Sequence, residues 1–235
     1  MSCKAVHARP KGLIIAIDGP SGAGKSTLTR LLAERLGYIH IDTGAMFRAV
    51  ALAATRAGIA MDDGEALAAL CRGLTISFAR NDVGYRVYLN GEDVSDQIRT
   101  PEISLLTSRV SAIKSVRECL LEQQRAMGMA GGVVLEGRDI GTVVFPNADV
   151  KFFLTASVGE RGRRRYQELK AKGEDVSLQG TIAEVALRDE QDEQREHAPL
   201  RKAPDAIDID SSGLSIEDVL TLMEGEINKR MRKEG

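Results

Sequence analysis

The 235-residue chain has little of what marks several large protein classes. It has three cysteines, Cys3, Cys71 and Cys119, spaced far apart and without a Cys-x-x-Cys pair. That argues against a disulfide or zinc framework and fits reduced thiols in a cytosol, with Cys71 and Cys119 as small apolar fillers on helices. The formal charge is only −2. A balanced chain serves neither nucleic acid nor an anionic membrane surface, so neither is an expected partner. The apolar run Leu13 to Ile17 is too short to span a bilayer, and no signal-peptide pattern precedes it. The expected location is the cytoplasm. There is no internal repeat and no low-complexity linker. No long exposed heptad seam argues for assembly, and a monomer is the expectation, with the oligomeric state left open.

What is present is ordinary for a globular protein: 43% hydrophobic and 28% charged residues. The length allows one substantial α/β domain with an insertion, or two small domains. Residues 1–11 are mixed and polar and read as a mobile tail. Leu13 to Ile17 reads as a strand buried on both faces, ending at Asp18 and a glycine-rich loop. A helix follows from Ser26 to Leu36, with Gly37 as its stop. Tyr38 to Ile41 reads as a second strand, with a helix then running to about Ala57. Asp62 or Asp63 caps a helix to about Arg72.

The texture then changes. Leu74 to Phe78 and Tyr85 to Leu89 carry β-formers, separated by Asn81-Asp82-Val83-Gly84 and followed by Asn90-Gly91. They predict an antiparallel hairpin or small three-stranded sheet. Pro101 opens one long helix to about Met129. Val133 to Leu135 and Val150 to Thr155 are further strands. A basic helix to about Lys172, a charged helix from Thr181 to about Glu196, a strand at Ala206 to Asp210 and a helix capped by Ser215 complete the chain. Strands alternating with helices imply an α/β fold with a parallel sheet flanked by helices.

Gly19-Pro20-Ser21-Gly22-Ala23-Gly24-Lys25-Ser26-Thr27 matches the phosphate-binding P-loop pattern in full, between a buried strand and a helix. Its glycines let backbone N–H groups turn toward phosphate oxygens, and the helix N-terminus adds partial positive charge. Lys25 is expected to reach the β and γ phosphates of ATP, and the Ser26 hydroxyl is a candidate Mg²⁺ ligand. The Asn-Lys-x-Asp expected of a GTPase is absent, since Asn228-Lys229 continues as Arg230-Met231; so is a Leu-Ser-Gly-Gly-Gln-like cassette signature.

Three further clusters follow strand ends, where open α/β sheets bind ligands. They are Asp42 to Arg48, Gly137 to Thr142, and Arg188, Asp192 and Arg195 at i, i+4 and i+7 of one helix face. Guanidiniums grip phosphate bidentately, and a carboxylate accepts from an exocyclic amine. Taken alone, the last cluster also fits a solvated, self-paired stripe. Arg161, Arg163, Arg164 and Arg165 read either as a solvated face or as a lid closing arginines over a triphosphate, with Arg161 and Arg164 as ATP contacts.

Ile17 to Lys25, Asp42 to Ala45, Gly91 to Ser95, Ile98 to Thr100 and Gly137 to Pro146 together resemble bacterial cytidylate kinases, a likeness running from about Leu13 to the terminal helix. The resemblance implies a P-loop NTPase-like fold with an antiparallel β insert in a monophosphate-binding region and a helical lid. On that reading residues 12–235 form a single kinase domain. Its core is 12–48, 130–157 and 203–235, its insert about 49–129 and its lid about 158–198.

The implied reaction is transfer of the γ-phosphoryl of ATP to CMP or dCMP with Mg²⁺, in pyrimidine nucleotide metabolism. Thr43, Arg48, Ser108, Arg117, Arg138, Asp139, Arg188, Asp192 and Arg195 would surround the CMP. Arg48, Arg117 and Arg138 would mainly hold its phosphate. Ser108, Arg188 and Asp192, with Arg117 in part, would lie nearer base and sugar. Lys25, Arg138 and Arg188 are the implied catalytic groups. The chain departs from the family pattern at Phe47, often Tyr, at Glu136, Asp in some members and expected to reach Mg²⁺ through water, and at Ser26, Gly in some. A kinase for UMP or a small phosphorylated metabolite, and a nucleotide-dependent switch without transfer activity, are the competing readings.

Overall fold

The computed structural model describes residues 12–232 except 82 and 83. The tail 1–11, Cys3 and the tip of the Asn81–Gly84 turn lie outside the described residues. The described residues divide into two compact units, one formed by Gly12 and Tyr38–Val133, the other by Leu13–Gly37 and residues 134–232.

The second unit is built on strands β1 (Ile14–Asp18), β6 (Val133–Gly137), β7 (Val150–Thr155) and β8 (Ile207–Asp210), in the spatial order β6-β1-β7-β8. β1 and β7 run parallel with Ile15 opposite Val150, and β7 and β8 run parallel with Phe152 opposite Ile207. Ile15, Ala16, Ile17, Val134 and Leu135 are fully buried. Their unbroken apolar runs are those of strands covered on both faces. α1 (Lys25–Leu36) packs on β1 and α8 (Ile216–Met231) on β7, while α6 (Val158–Ala171) packs on α7 (Leu178–Gln194). α8 starts on a full capping box between Ser215 and Asp218. β1 has β6 on one side and β7 on the other. The chain order therefore reverses around β1, which opens a crevice beyond its carboxyl end. Gly19 to Gly24 occupy that point.

The first unit holds β2 (Ile39–Asp42), α2 (Thr43–Arg56), α3 (Gly64–Arg72), the sheet β3 (Ile76–Asn81), β4 (Gly84–Leu89) and β5 (Glu92–Asp93), then α4 (Pro101–Ala112) and α5 (Lys114–Gly128). The sheet is antiparallel, with Phe78 opposite Val87 and Tyr88 opposite Asp93. α2 packs on α4, and α3 packs on α5. Met46, Val50, Leu67, Ile98, Val110, Val116 and Leu120 are the buried heart of this unit.

The expected long helix from Pro101 to Met129 is two helices. Ile113 between them is extended (φ −79°, ψ 119°), and the Arg117 guanidinium donates from Nη1 to the Ser111 carbonyl at 2.9 Å. A side chain thus takes over a carbonyl that a continuous helix would have satisfied from its own backbone. Thr100 caps the first helix, with Pro101 in its first turn.

Candidate functional site

The strand-to-helix turn after β1 has a shape that only glycine permits at its start. Gly19 has φ 148°, and a Cβ there would stand 2.0 Å from the Leu154 carbonyl oxygen. Gly24, at φ 94°, is the N-cap of α1 and makes no side-chain cap bond. The first-turn N–H groups of α1 are therefore without a side-chain cap, which suits an anion. Lys25 is buried and donates from Nζ to the carbonyl oxygens of Gly19 (2.7 Å) and Pro20 (2.6 Å). Burial and the nearby Arg138 guanidinium push its pKa well below the ordinary lysine value, against the pull of Glu136, Asp192 and Asp18.

Ser26 and Thr27 are exposed at the start of α1. Ser26 donates its hydroxyl to Glu136 Oε2 at 2.7 Å, joining residues 110 apart in sequence. A hydroxyl beside a carboxylate is a hard-oxygen donor pair of the kind Mg²⁺ takes together with phosphate oxygens and water. Among the described residues no group of three or more His, Cys, Asp or Glu side chains forms a metal site by itself. The donor set fits a cation delivered with a nucleotide.

β6 ends in Glu136-Gly137 and delivers Arg138 and Asp139. Arg138 Nε donates to Asp192 Oδ2 at 2.7 Å, and both side chains are largely buried. Burial alone would raise the Asp192 carboxyl, but the guanidiniums of Arg138, Arg188 and Arg195 together hold the group below the usual carboxylate range. Arg195 lies 3.5 Å from Asp192 and 3.8 Å from Asp139, and its Nε donates to the Ala198 carbonyl. The helix face expected to carry Arg188, Asp192 and Arg195 is shorter than that: α7 ends at Gln194, and Arg195 is its extended C-cap residue (ψ 141°). Arg195 turns back through the Ala198 bond instead of continuing the spiral. Arg188 is half-buried on α7.

In the first unit, Asp42 caps α2 by accepting from the Ala45 N–H at 2.9 Å. Burial opposes its ionisation, but Arg48 and His40 hold its pKa below the ordinary value. Thr43 is buried at the start of α2, and Arg48 Nε is buried without a hydrogen-bond partner among the described residues. The Arg117 guanidinium lies over the Phe47 ring, 5.2 Å from its centroid. Ser108 is half-buried on α4.

A profile of the cytidylate kinase family matches residues 15–229. The chain belongs to the cytidylate kinase family. It is 70% identical over 222 residues to a cytidylate kinase of Geobacter sulfurreducens, covering 94% of this chain and 95% of the relative. With a Bacillus subtilis cytidylate kinase it shares 47% over 222 residues, covering 94% and 99%. A crystal structure of an uncharacterized protein from Eubacterium ventriosum shares the fold, with TM-score 0.52 and 12% identity over 93% of this chain and 99% of that one.

The basic helix α6 does not present its arginines as a free row. Arg163 and Arg164 pair with Glu160, and Arg165 with Glu168. Arg161, expected as a lid arginine over the triphosphate, is 4% exposed and lies under the loop, bound to the Ser21 carbonyl and to Asp189. Arg164 donates to the Ser211 carbonyl at 2.9 Å and the Ser211 hydroxyl at 3.1 Å. Ser211 Oγ in turn donates to the Ala23 carbonyl at 3.3 Å. Two residues that motif reading passed over prove central. Asp18 accepts from the N–H groups of Ile140 (2.8 Å) and Gly141 (2.7 Å), fixing the turn that follows Arg138-Asp139. Asp189 is the carboxylate partner of Arg161. A charge closing an otherwise apolar strand was the available signal for the first; the second left none that separated it from the other acids of α7.

Proposed function

We propose that the chain transfers the γ-phosphoryl of ATP to CMP or dCMP, giving ADP and CDP or dCDP, as a cytoplasmic monomer. The observation that carries this reading is the position of the buried Arg138–Asp192 pair. It stands within the electrostatic reach of Lys25, which also feels Glu136 and Asp18. A phosphate cradle and a charged acceptor cluster thus share one strand-end crevice. That supports a phosphorylated acceptor brought to a bound nucleotide. No described helix is long and apolar enough to cross a membrane.

Phosphoryl transfer asks the protein for alignment and charge stabilisation more than for covalent chemistry. Loop N–H groups and the α1 N-terminus hold the ATP phosphates. Lys25 exchanges its two carbonyl contacts for phosphate oxygens and offsets the charge that grows in the transition state. Ser26 and Glu136 would hold Mg²⁺, which when bound neutralises phosphate charge. Arg138 orients the acceptor phosphoryl oxygen. Asp192 accepts from the cytosine 4-amino group while Arg188 donates to ring N3 and O2. Asp139 and Arg195, beside the Arg138–Asp192 pair, are assigned to the same acceptor. ADP release measured with ATP alone and with ATP plus CMP tests the reading. Steady ADP production only with CMP supports transfer; ADP production independent of any acceptor, or none under either condition, contradicts it.

A further inference from the structure

The underside of the phosphate loop is held by a buried ion pair whose acid sits on the acceptor helix. Arg161 reaches from α6 with three acceptors in place. Its Nε donates to the Ala156 carbonyl at 2.8 Å, and its Nη1 lies 3.0 Å from the Ser21 carbonyl and 2.6 Å from Asp189 Oδ2. The side chain is 4% exposed, and that of Asp189 12%. The loop presses close on this arginine, since a Cβ at Gly22 would come within 3.1 Å of the Arg161 Cβ. Asp189 follows Arg188 directly and precedes Asp192 by three positions on α7.

The chemistry of this contact points toward the donor. A trans peptide aims its C=O and N–H in opposite directions. Fixing the Ser21 carbonyl on Arg161 therefore turns the Gly22 N–H away from α6, into the concave side of a loop whose amides bind phosphate. A guanidinium cannot shed its charge when buried, so it keeps its place only with a carboxylate beside it. Asp189 supplies that carboxylate through Oδ2 alone; its Oδ1 is buried with no hydrogen-bond partner among the described residues.

We infer that Asp189 and Arg161 are a positioning pair for the ATP site. Asp189, though carried by the acceptor helix, sets donor affinity by holding Arg161 against the Ser21 carbonyl. This rests on the reading of the loop as the ATP site and of α7 as an acceptor element. It separates Asp189 from its neighbours Arg188 and Asp192, which serve the acceptor.

The test uses the full chain with Asp189→Asn and Arg161→Lys, changes that keep shape but remove the carboxylate or the guanidinium fork. Steady-state kinetics give separate KM values for ATP and CMP. Calorimetry gives the ADP affinity without acceptor, and thermal melting establishes that each variant is folded at the assay temperature. The expected result is an ADP dissociation constant and a KM for ATP raised about five- to tenfold, the size of one lost hydrogen bond. The KM for CMP stays within about twofold, and the double variant is no worse than the worse single one. Unchanged ADP affinity, a parallel rise in both KM values, or additive losses overturn the proposal; so does a pair of variants that fail to fold, which makes the contact purely structural. If the wild type forms no ADP in response to CMP, the acceptor reading fails instead, and the ADP calorimetry still decides the positioning role.

Discussion

Arg138 and Asp192, 54 residues apart, meet at 2.7 Å with little solvent on either side chain. A carboxylate in that position cannot be removed without leaving a buried cation behind. Asp192→Ala is therefore expected to lower thermal stability as well as acceptor selectivity. Arg188→Ala touches selectivity without uncovering that pair. Both variants should narrow the CMP-over-UMP preference in kcat/KM by about tenfold or more, since each removes a polar base contact. The KM for ATP should change much less. Equal losses with CMP and UMP would remove the base-reading assignment.

Lys25 holds the loop carbonyls of Gly19 and Pro20 and is the cation nearest the phosphate cradle by sequence. Lys25→Ala is expected to cut turnover by about 10²–10³ at saturating ATP and CMP, the scale of losing one preorganised charge-stabilising group. Near-normal turnover would overturn its catalytic role.

The Ser26–Glu136 contact predicts a metal phenotype. Glu136→Gln keeps the side-chain shape but removes a charge from the candidate Mg²⁺ site. The Mg²⁺ concentration for half-maximal ADP formation should rise by about tenfold, with the maximal rate partly recovered at high Mg²⁺. A Mg²⁺ titration superimposable on the wild type counts against a cation at this pair.

Asp18 predicts a pH dependence of stability. Burial is the main cause that pushes its carboxyl from 3.8 up to about 6, and the two backbone N–H bonds only partly offset it. A folded-state pKa above the unfolded value means that the folded protein binds the proton more tightly. The associated stability is present in full below about 3.8 and is lost as pH rises through about 6. A shift of about two units corresponds to something on the order of 3 kcal/mol. Asp18→Asn should remove this component: the stability of the wild type relative to the variant falls between pH 4 and pH 7 in urea denaturation. A difference that is flat or rises over that range contradicts it.

Much of this was open to reading from the chain because local chemistry and tertiary setting agree. The Gly19–Ser26 spacing, the apolar runs of β1 and β6, and the turn residues around β3 and β4 each favour one local structure, and packing preserves it. The misreadings arise where a side chain's own partner decides. Nothing in Ser111-Ala112-Ile113 stops a helix; the break at Ile113 goes with Arg117 reaching back to the Ser111 carbonyl. Arg161 looks like its neighbours Arg163 to Arg165 in sequence, yet it is the one that is buried, because Asp189 and the Ser21 carbonyl meet it there. Arg195 has the right spacing for the face of α7 but leaves the helix to bond Ala198. Such side-chain bonds, three residues away at Ala198 or 140 away at Ser21, leave no periodic trace in sequence.

A crevice that phosphorylates a cytosine nucleotide must choose among acceptors by their base. The most direct measurement is kcat/KM for CMP, dCMP, UMP and AMP in one assay at fixed ATP and Mg²⁺. CMP and dCMP are expected well ahead of UMP and AMP, with the gap between CMP and UMP narrowed in Arg188→Ala. A wild type that uses UMP or AMP as well as CMP, or a gap indifferent to Arg188, would contradict it.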